Sequence, residues 1–220
     1  MGKHYFLARQ PILDRDLKLF AYELLFRNST VNSAPEDIEA VSATAQVLTH
    51  AVEIGLERLS RGHLTFINLP REFLVDPTLL PIDPVRVMLE ILEDVAPDEE
   101  VVAGVRELQD SGFKIALDDV VDAAAYADLL PYVDTVKIDI REMAAENWSE
   151  QIARLKGYGC KVLAEKVETE EEFMRLKALG VDYFQGYFFA RPRIVSGRRL
   201  PTNKIALLRL LSKLLSLTRV

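Results

Sequence analysis

Residues 98–119 read Asp98-Glu-Glu-Val-Val-Ala-Gly-Val-Arg-Glu-Leu-Gln-Asp-Ser-Gly-Phe-Lys-Ile-Ala-Leu-Asp-Asp119. The first fourteen have the spacing of an amphipathic helix. Gly112 then tolerates the positive φ with which helices commonly end, and Phe113–Asp118 is a short apolar run closing on a carboxylate. The same order recurs. A long helix is expected from near Ser33, with Ile38, Val41, Ala45, Leu48, Val52, Leu56 and Leu59 on one face. Gly62 and the run Leu64–Asn68 follow it. A helix near 148–158 precedes Gly159 and Lys161–Glu165, and a helix over 170–179 precedes Gly180 and Val181–Gln185. Val85–Glu90, Asp134–Ile138 and Leu17–Glu23 read as further strands, and Phe6–Ile12 as an eighth or as the approach to the seventh. Strands alternating with helices indicate a parallel sheet buried on both faces. Seven or eight such units fit a closed α/β barrel better than an open sheet. No Gly-x-Gly-x-x-Gly follows a strand, against a dinucleotide-binding fold.

The 220 residues suit one main domain, and 49% hydrophobic with 28% charged residues excludes a disordered chain. The single Cys160 excludes a disulfide scaffold and a thiolate zinc site, and three histidines leave little for an imidazole centre. No run of apolar residues is long enough for a membrane span and the N-terminus lacks a signal-peptide core, so a cytoplasmic protein is expected. The formal net charge is −7. Asp182 is the last acidic residue, and Arg191, Arg193, Arg198, Arg199, Lys204, Arg209, Lys213 and Arg219 follow it. The acidic body makes nucleic acid an unexpected partner, because phosphates need cations.

What ends each strand carries the chemistry. Glu23, Asn68, Glu90, Asp118 with Asp119, Lys137, Glu165 and Gln185 all stand at or beside C-terminal strand ends. A barrel gathers those ends on one face, where active sites lie. A polar strand end can equally be a plain loop residue or a helix cap. Five carboxylates brought together would need compensation, and an all-oxygen set suits Mg²⁺, Mn²⁺ or Ca²⁺. Two such ions about 3.5–4 Å apart can clamp a phosphodiester and activate water.

The residues also resemble a family. Arg9-Gln-Pro-Ile-Leu-Asp14 and Tyr22-Glu-Leu-Leu-Phe-Arg27 are similar to the opening of EAL-domain cyclic-di-GMP phosphodiesterases. Ile67-Asn-Leu-Pro70, Leu89-Glu-Ile-Leu-Glu93, Leu117-Asp-Asp119, Val136-Lys-Ile-Asp139, Ala164-Glu-Lys-Val-Glu-Thr169 and Gln185-Gly-Tyr-Phe-Phe-Ala-Arg-Pro192 continue it in family order. The resemblance implies a modified TIM (β/α)8 barrel with one antiparallel strand over 1–193, and hydrolysis of cyclic-di-GMP to linear pGpG with Mg²⁺ or Mn²⁺, Ca²⁺ binding non-productively. It implies metal ligands at Glu23, Asn68, Glu90, Asp118 and Glu165, with Asp119 at a second metal. Lys137 would position the water or stabilise charge, Gln185 would help order the water and the second metal, Gln10 and Arg27 would contact the ligand, and Glu93 and Glu168 would support the site.

Departures from the pattern open an alternative, a catalytically weak or inactive cyclic-di-GMP receptor or interaction module. Glu23-Leu-Leu25 stands where the family has Glu-Ala-Leu, and Leu92 replaces a usual threonine. Val120-Val-Asp-Ala-Ala-Ala125 replaces a glycine-containing loop, and Asp122 before three alanines reads as a helix cap. Lys166 replaces a glycine and is read either as neutralising a carboxylate and competing with a metal or as pointing to solvent. Arg9-Gln-Pro-Ile12 and Glu23-Leu-Leu25 resemble a subgroup that carries a C-terminal HDOD domain. Residues 194–220 then read as a linker and a helix over 203–219, apolar on more than one face through Leu207, Leu208, Leu210, Leu211, Leu214, Leu215 and Leu217. Such a helix must bury against the barrel, an HDOD domain, a partner protein or a second copy in a homodimer. Membrane anchoring is the least favoured role for it.

Overall fold

A computed structural model describes residues 4–27, 40–51 and 55–198. Eight strands close into a barrel: β1 (His4–Asp14), β2 (Leu19–Arg27), β3 (Leu64–Leu69), β4 (Val87–Ile91), β5 (Lys114–Leu117), β6 (Thr135–Asp139), β7 (Lys161–Glu165) and β8 (Tyr183–Phe184). From β2 to β8 each strand is parallel to the next, while β1 pairs antiparallel with both β2 and β8. This is the expected modified barrel with its first strand reversed. A ninth strand, β9 (Arg193–Arg198), lies antiparallel along the first half of β1 and has no counterpart among the expected strands.

Six helices are described: α1 (Ala40–His50), α2 (Leu56–Ser60), α3 (Arg71–Val75), α4 (Glu99–Asp110), α5 (Trp148–Gly157) and α6 (Glu170–Ala178). The single helix expected to run from near Ser33 to Leu59 is instead two among the described residues. Gly55 stands before α2 at φ +88, a left-handed backbone that an α-helix cannot pass through. The expected helix over 203–219 lies outside the described residues.

Helix ends follow the sequence. Asp98 caps α4 by accepting from the Val101 amide at 3.0 Å, and Thr169 with Glu172 forms a capping box on α6. Gly112, at φ +92, turns the chain from α4 into β5, and the Phe113 amide donates to the Leu108 carbonyl at 3.1 Å.

Alternation along the strands divides the core in two. Outward side chains such as Leu24, Ile67, Leu89, Val136, Ile138 and Val162 pack under the helices in one large apolar shell. Inward ones form a smaller cluster of Ile12, Ala21, Phe66, Met88, Ala116 and Leu163, with the Phe20 and Tyr183 rings stacked beside it at 3.9 Å. The inward face then fixes what reaches the barrel mouth. Two residues beyond Ala21, Phe66, Met88, Ala116 and Leu163 stand Glu23, Asn68, Glu90, Asp118 and Glu165. Gln10 joins them from the reversed β1, paired with Glu23.

The α3–α4 contact admits no side chain at Gly104, where a Cβ would lie 1.9 Å from the Leu74 carbonyl oxygen. Gly104→Ala should therefore destabilise the fold by about 1–3 kcal/mol through overpacking. Urea denaturation would read this as a lower midpoint with an unchanged m-value.

Candidate active site

One ammonium organises the barrel mouth. The Lys137 Nζ lies 2.8 Å from Asp118 Oδ1, 3.0 Å from Glu165 Oε1 and 3.7 Å from Glu23 Oε1, and in contact with Glu90 Oε1. Lys137 is 1% exposed and Glu90 is fully buried. Burial pulls the Lys137 pKa down, but the carboxylates of Glu165, Glu23, Glu90 and Asp118 outweigh it and hold the ammonium well above its usual value. Glu90 and Glu165 are pushed well above the carboxylate range by burial first and by each other's neighbours next, with Lys137 opposing. Asp118 is also buried, yet the charge and hydrogen bond of Lys137 and hydrogen bonds shared with Glu90 and Glu165 hold it below its usual value.

Asp119 takes φ +41, unusual for a residue other than glycine. Its amide donates to Asp118 Oδ1 at 3.0 Å, and the next amide, of Val120, donates to the Lys137 carbonyl at 3.0 Å. These bonds turn Asp119 back over the mouth. Its carboxyl is raised to about 6 by burial and by Asp118. Carboxylate oxygens of Asp118, Asp119 and Glu165 lie within 4.8 Å of one another. Gln185, on the residue after β8, donates its Nε2 to Glu23 Oε2 at 2.6 Å. Asn68 is anchored from behind, its carbonyl accepting from Thr44 Oγ1 of α1 at 2.7 Å. A cavity of about 280 Å³ opens over this group, lined by Gln10, Glu23, Glu165, Lys166, Glu168 and Gln185 among others.

The structure thus brings together Gln10, Glu23, Asn68, Glu90, Asp118, Asp119, Lys137, Glu165 and Gln185. Glu168 lies at the rim, 56% exposed, 3.4 Å from Arg141 Nη2. Glu93 is not drawn in. It is exposed on the loop after β4, and its carbonyl accepts from the Tyr126 hydroxyl at 3.2 Å. Arg27 ends β2, and its side chain lies outside the described residues. Asp139 closes the motif Val136–Asp139 but carries no role in the sequence reading, although it sits two residues past Lys137 on the same face. It is buried and pairs with the Lys166 ammonium. Lys166 therefore pairs with Asp139 rather than with its neighbour Glu165, while its side chain stays 55% exposed to solvent.

Asp122 behaves as the sequence predicts, accepting from the Ala124 amide at 2.9 Å to cap a 3-10 turn over Ala123–Tyr126. Gln151 of α5 donates to the Val121 carbonyl at 3.0 Å and holds this segment in place.

The donor set fits a hard divalent cation. Asn68 Oδ1, Glu90 Oε2, Asp119 Oδ1 and Gln185 Oε1 are buried acceptors without a hydrogen-bond partner. Buried oxygens left this way are costly, and oxygen ligands without thiolate or imidazole are what Mg²⁺, Mn²⁺ and Ca²⁺ prefer. Five carboxylates face one buried ammonium here, a deficit that cations would fill. Lys137→Met, which removes that ammonium, should lower the melting temperature at pH 7 by about 10 °C, the cost of stranding buried charge. Carboxyls whose folded pKa is raised bind protons more readily folded than unfolded, so the deficit should shrink as pH falls through their folded pKa values. Calorimetric scans of both proteins between pH 7 and pH 5 would measure both effects.

Comparisons with known proteins agree with the fold. The cyclic di-GMP phosphodiesterase CdgJ of Vibrio cholerae is 38% identical over 207 residues, 92% of this chain and 48% of that protein. The chain spans about half the length of the curated relatives it matches. The crystal structure of an EAL domain protein from Listeria monocytogenes superposes with a TM-score of 0.70 at 27% identity, over 86% of this chain and 88% of that one. BlrP1 of Klebsiella pneumoniae, solved as a calcium and cyclic-di-GMP complex, shares the fold with a TM-score of 0.68 at 21% identity, over 90% of this chain and 59% of that one. Residues 2–192 match the EAL domain along nearly the whole barrel, β1 to β8 included, and the chain belongs to the EAL domain family.

Proposed function

We propose that this chain is a divalent-metal-dependent phosphodiesterase that hydrolyses cyclic-di-GMP to linear pGpG. The observation that carries the reading is the ring of strand-end oxygens around Lys137, with four buried acceptors left without donors. The name of the Vibrio cholerae relative and the ligands of the BlrP1 complex support the choice of substrate.

Glu23, Asn68, Glu90, Asp118 and Glu165 would hold one cation, and Asp119 would reach a second beside Asp118 and Glu165. Mg²⁺ or Mn²⁺ serves turnover in this reading and Ca²⁺ binds without it. Bound cations would neutralise the phosphodiester and lower the pKa of the attacking water. Hydrolysis forms a new phosphorus–oxygen bond from that water and breaks the bond to the 3′ oxygen opposite, which leaves with a proton. Lys137 would orient the water and face the charge that develops on phosphate oxygens. Gln185 would help order the same water and the second metal. Gln10 and Arg27 contact the nucleotide, and Glu168 holds the rim through Arg141. Glu93 acts at a distance, through the loop that carries Tyr126.

A second reading is a receptor that binds cyclic-di-GMP and turns it over slowly or not at all. The segment Val120–Tyr126 favours it, because a capped 3-10 turn tied to Gln151 replaces the flexible glycine loop of the family beside Asp119. Arg9-Gln-Pro-Ile12 and Glu23-Leu-Leu25 add the proposal that the chain belongs to the HDOD-linked subgroup. Docking of the 203–219 helix on such a domain, on a partner or in a homodimer belongs to the same proposal. No helix among the described residues is long and apolar enough to cross a membrane, and a cytoplasmic setting completes the reading.

Incubation with cyclic-di-GMP and Mn²⁺ should yield pGpG, with none in EDTA or with Ca²⁺ alone. Glu165→Gln should lower the rate by on the order of 10²-fold or more. Binding heat in Ca²⁺ without pGpG in Mn²⁺ would select the receptor; neither signal would end both readings.

A further inference from the structure

Lys166 is an odd residue for its place. It follows Glu165 at the end of β7 with φ +56, a left-handed backbone that costs a non-glycine residue roughly 1 kcal/mol. The conformation is nevertheless tied down. The Lys166 carbonyl accepts from Arg141 Nε at 3.3 Å, and its Nζ pairs with Asp139 Oδ2. The other Asp139 oxygen accepts from the Arg141 amide at 2.8 Å. Asp139 is 5% exposed and stands opposite Glu165 in the β6–β7 register. The ammonium is thus strapped across the mouth, beside Glu165 and on the wall of the 280 Å³ cavity, where it is the only cation among the described lining residues.

Glu165 lies on the same cavity wall as the ammonium. A cation bound against Glu165 would share that wall with an ammonium of like charge, and because the Lys166 side chain is 55% exposed, solvent screens the repulsion to a moderate one.

We propose that Lys166, held on Asp139, is a built-in counterion that weakens cation binding at Asp118, Asp119 and Glu165, so that the two cations load in sequence with unequal affinity. This rests on the divalent-metal reading of the site. It makes Lys166 a positioning and tuning residue, outside the ligand set, and it raises the cation concentration needed to fill the second position above what a glycine there would require.

Titration with Mn²⁺ alone tests it, by calorimetry with free Mn²⁺ counted by electron paramagnetic resonance. The parent should bind one ion tightly and a second more weakly. Lys166→Gly, which also suits the backbone, and Lys166→Gln should tighten the second step about tenfold and leave the first within about twofold, which also reports an intact fold. Lys166→Arg, which keeps the charge, should bind like the parent. If the first step is intact and the second is unchanged in both neutral variants, the counterion role is overturned while the metal site stands. If neither parent nor variants bind Mn²⁺, the metal reading fails and the counterion role with it.

Discussion

A buried ammonium shared by four carboxylates is the constraint on which this barrel turns. Lys137 could not be buried alone, and Glu23, Glu90, Asp118 and Glu165 could not be gathered without it. The cluster has strands β2, β4, β6 and β7 and the end of β5 converging on one point, so any strand that slipped register would withdraw its member. Even so, charge balance is incomplete. The residual acidity is held in place by the apolar floor below it, where Phe66, Met88, Ala116 and Leu163 leave no room for the carboxylates to retreat. Local electrostatic frustration of this kind is where natural folds depart from their own packing rules, and such departures mark sites of function.

Most of this is legible because strand ends are. A short apolar run that closes on a polar residue is a pattern a reader can find, and a barrel gathers such ends on one face. It marks Glu23, Asn68, Glu90, Asp118, Asp119, Lys137, Glu165 and Gln185. Alternation along the strand adds Asp139, two residues past Lys137 on the same face. Glu93 shows the limit of the rule. The chain leaves strand geometry after Ile91, so alternation no longer says where a side chain points. Lys166 fails for the related reason that its backbone leaves the extended region, which returns to the mouth a side chain that alternation sends outward.

Other features were hidden because they depend on partners distant in sequence. Arg193-Ile-Val-Ser-Gly-Arg198 has neither an apolar run nor clean alternation. It becomes a strand because the free edge of β1 offers it hydrogen bonds, a tertiary decision that strand propensity cannot anticipate. The break between α1 and α2 was masked by apolar spacing that runs through it unchanged, leaving Gly55 as the sole local cue. Asp122 was readable because capping is local: donor and acceptor lie within two residues.

The closure of the barrel is lopsided. β1 meets β2 along eight registered pairs but meets β8 at only two, Leu13 with Phe184 and Asp14 with Tyr183. The cylinder is therefore a ribbon fastened by a short clasp, and Gln185 is the next residue along from it. Any force applied to the N-terminal strand, by a tethered neighbour or by a crowded ligand, meets least resistance there. The amide that steadies Glu23 would be the first part of the mouth to feel it.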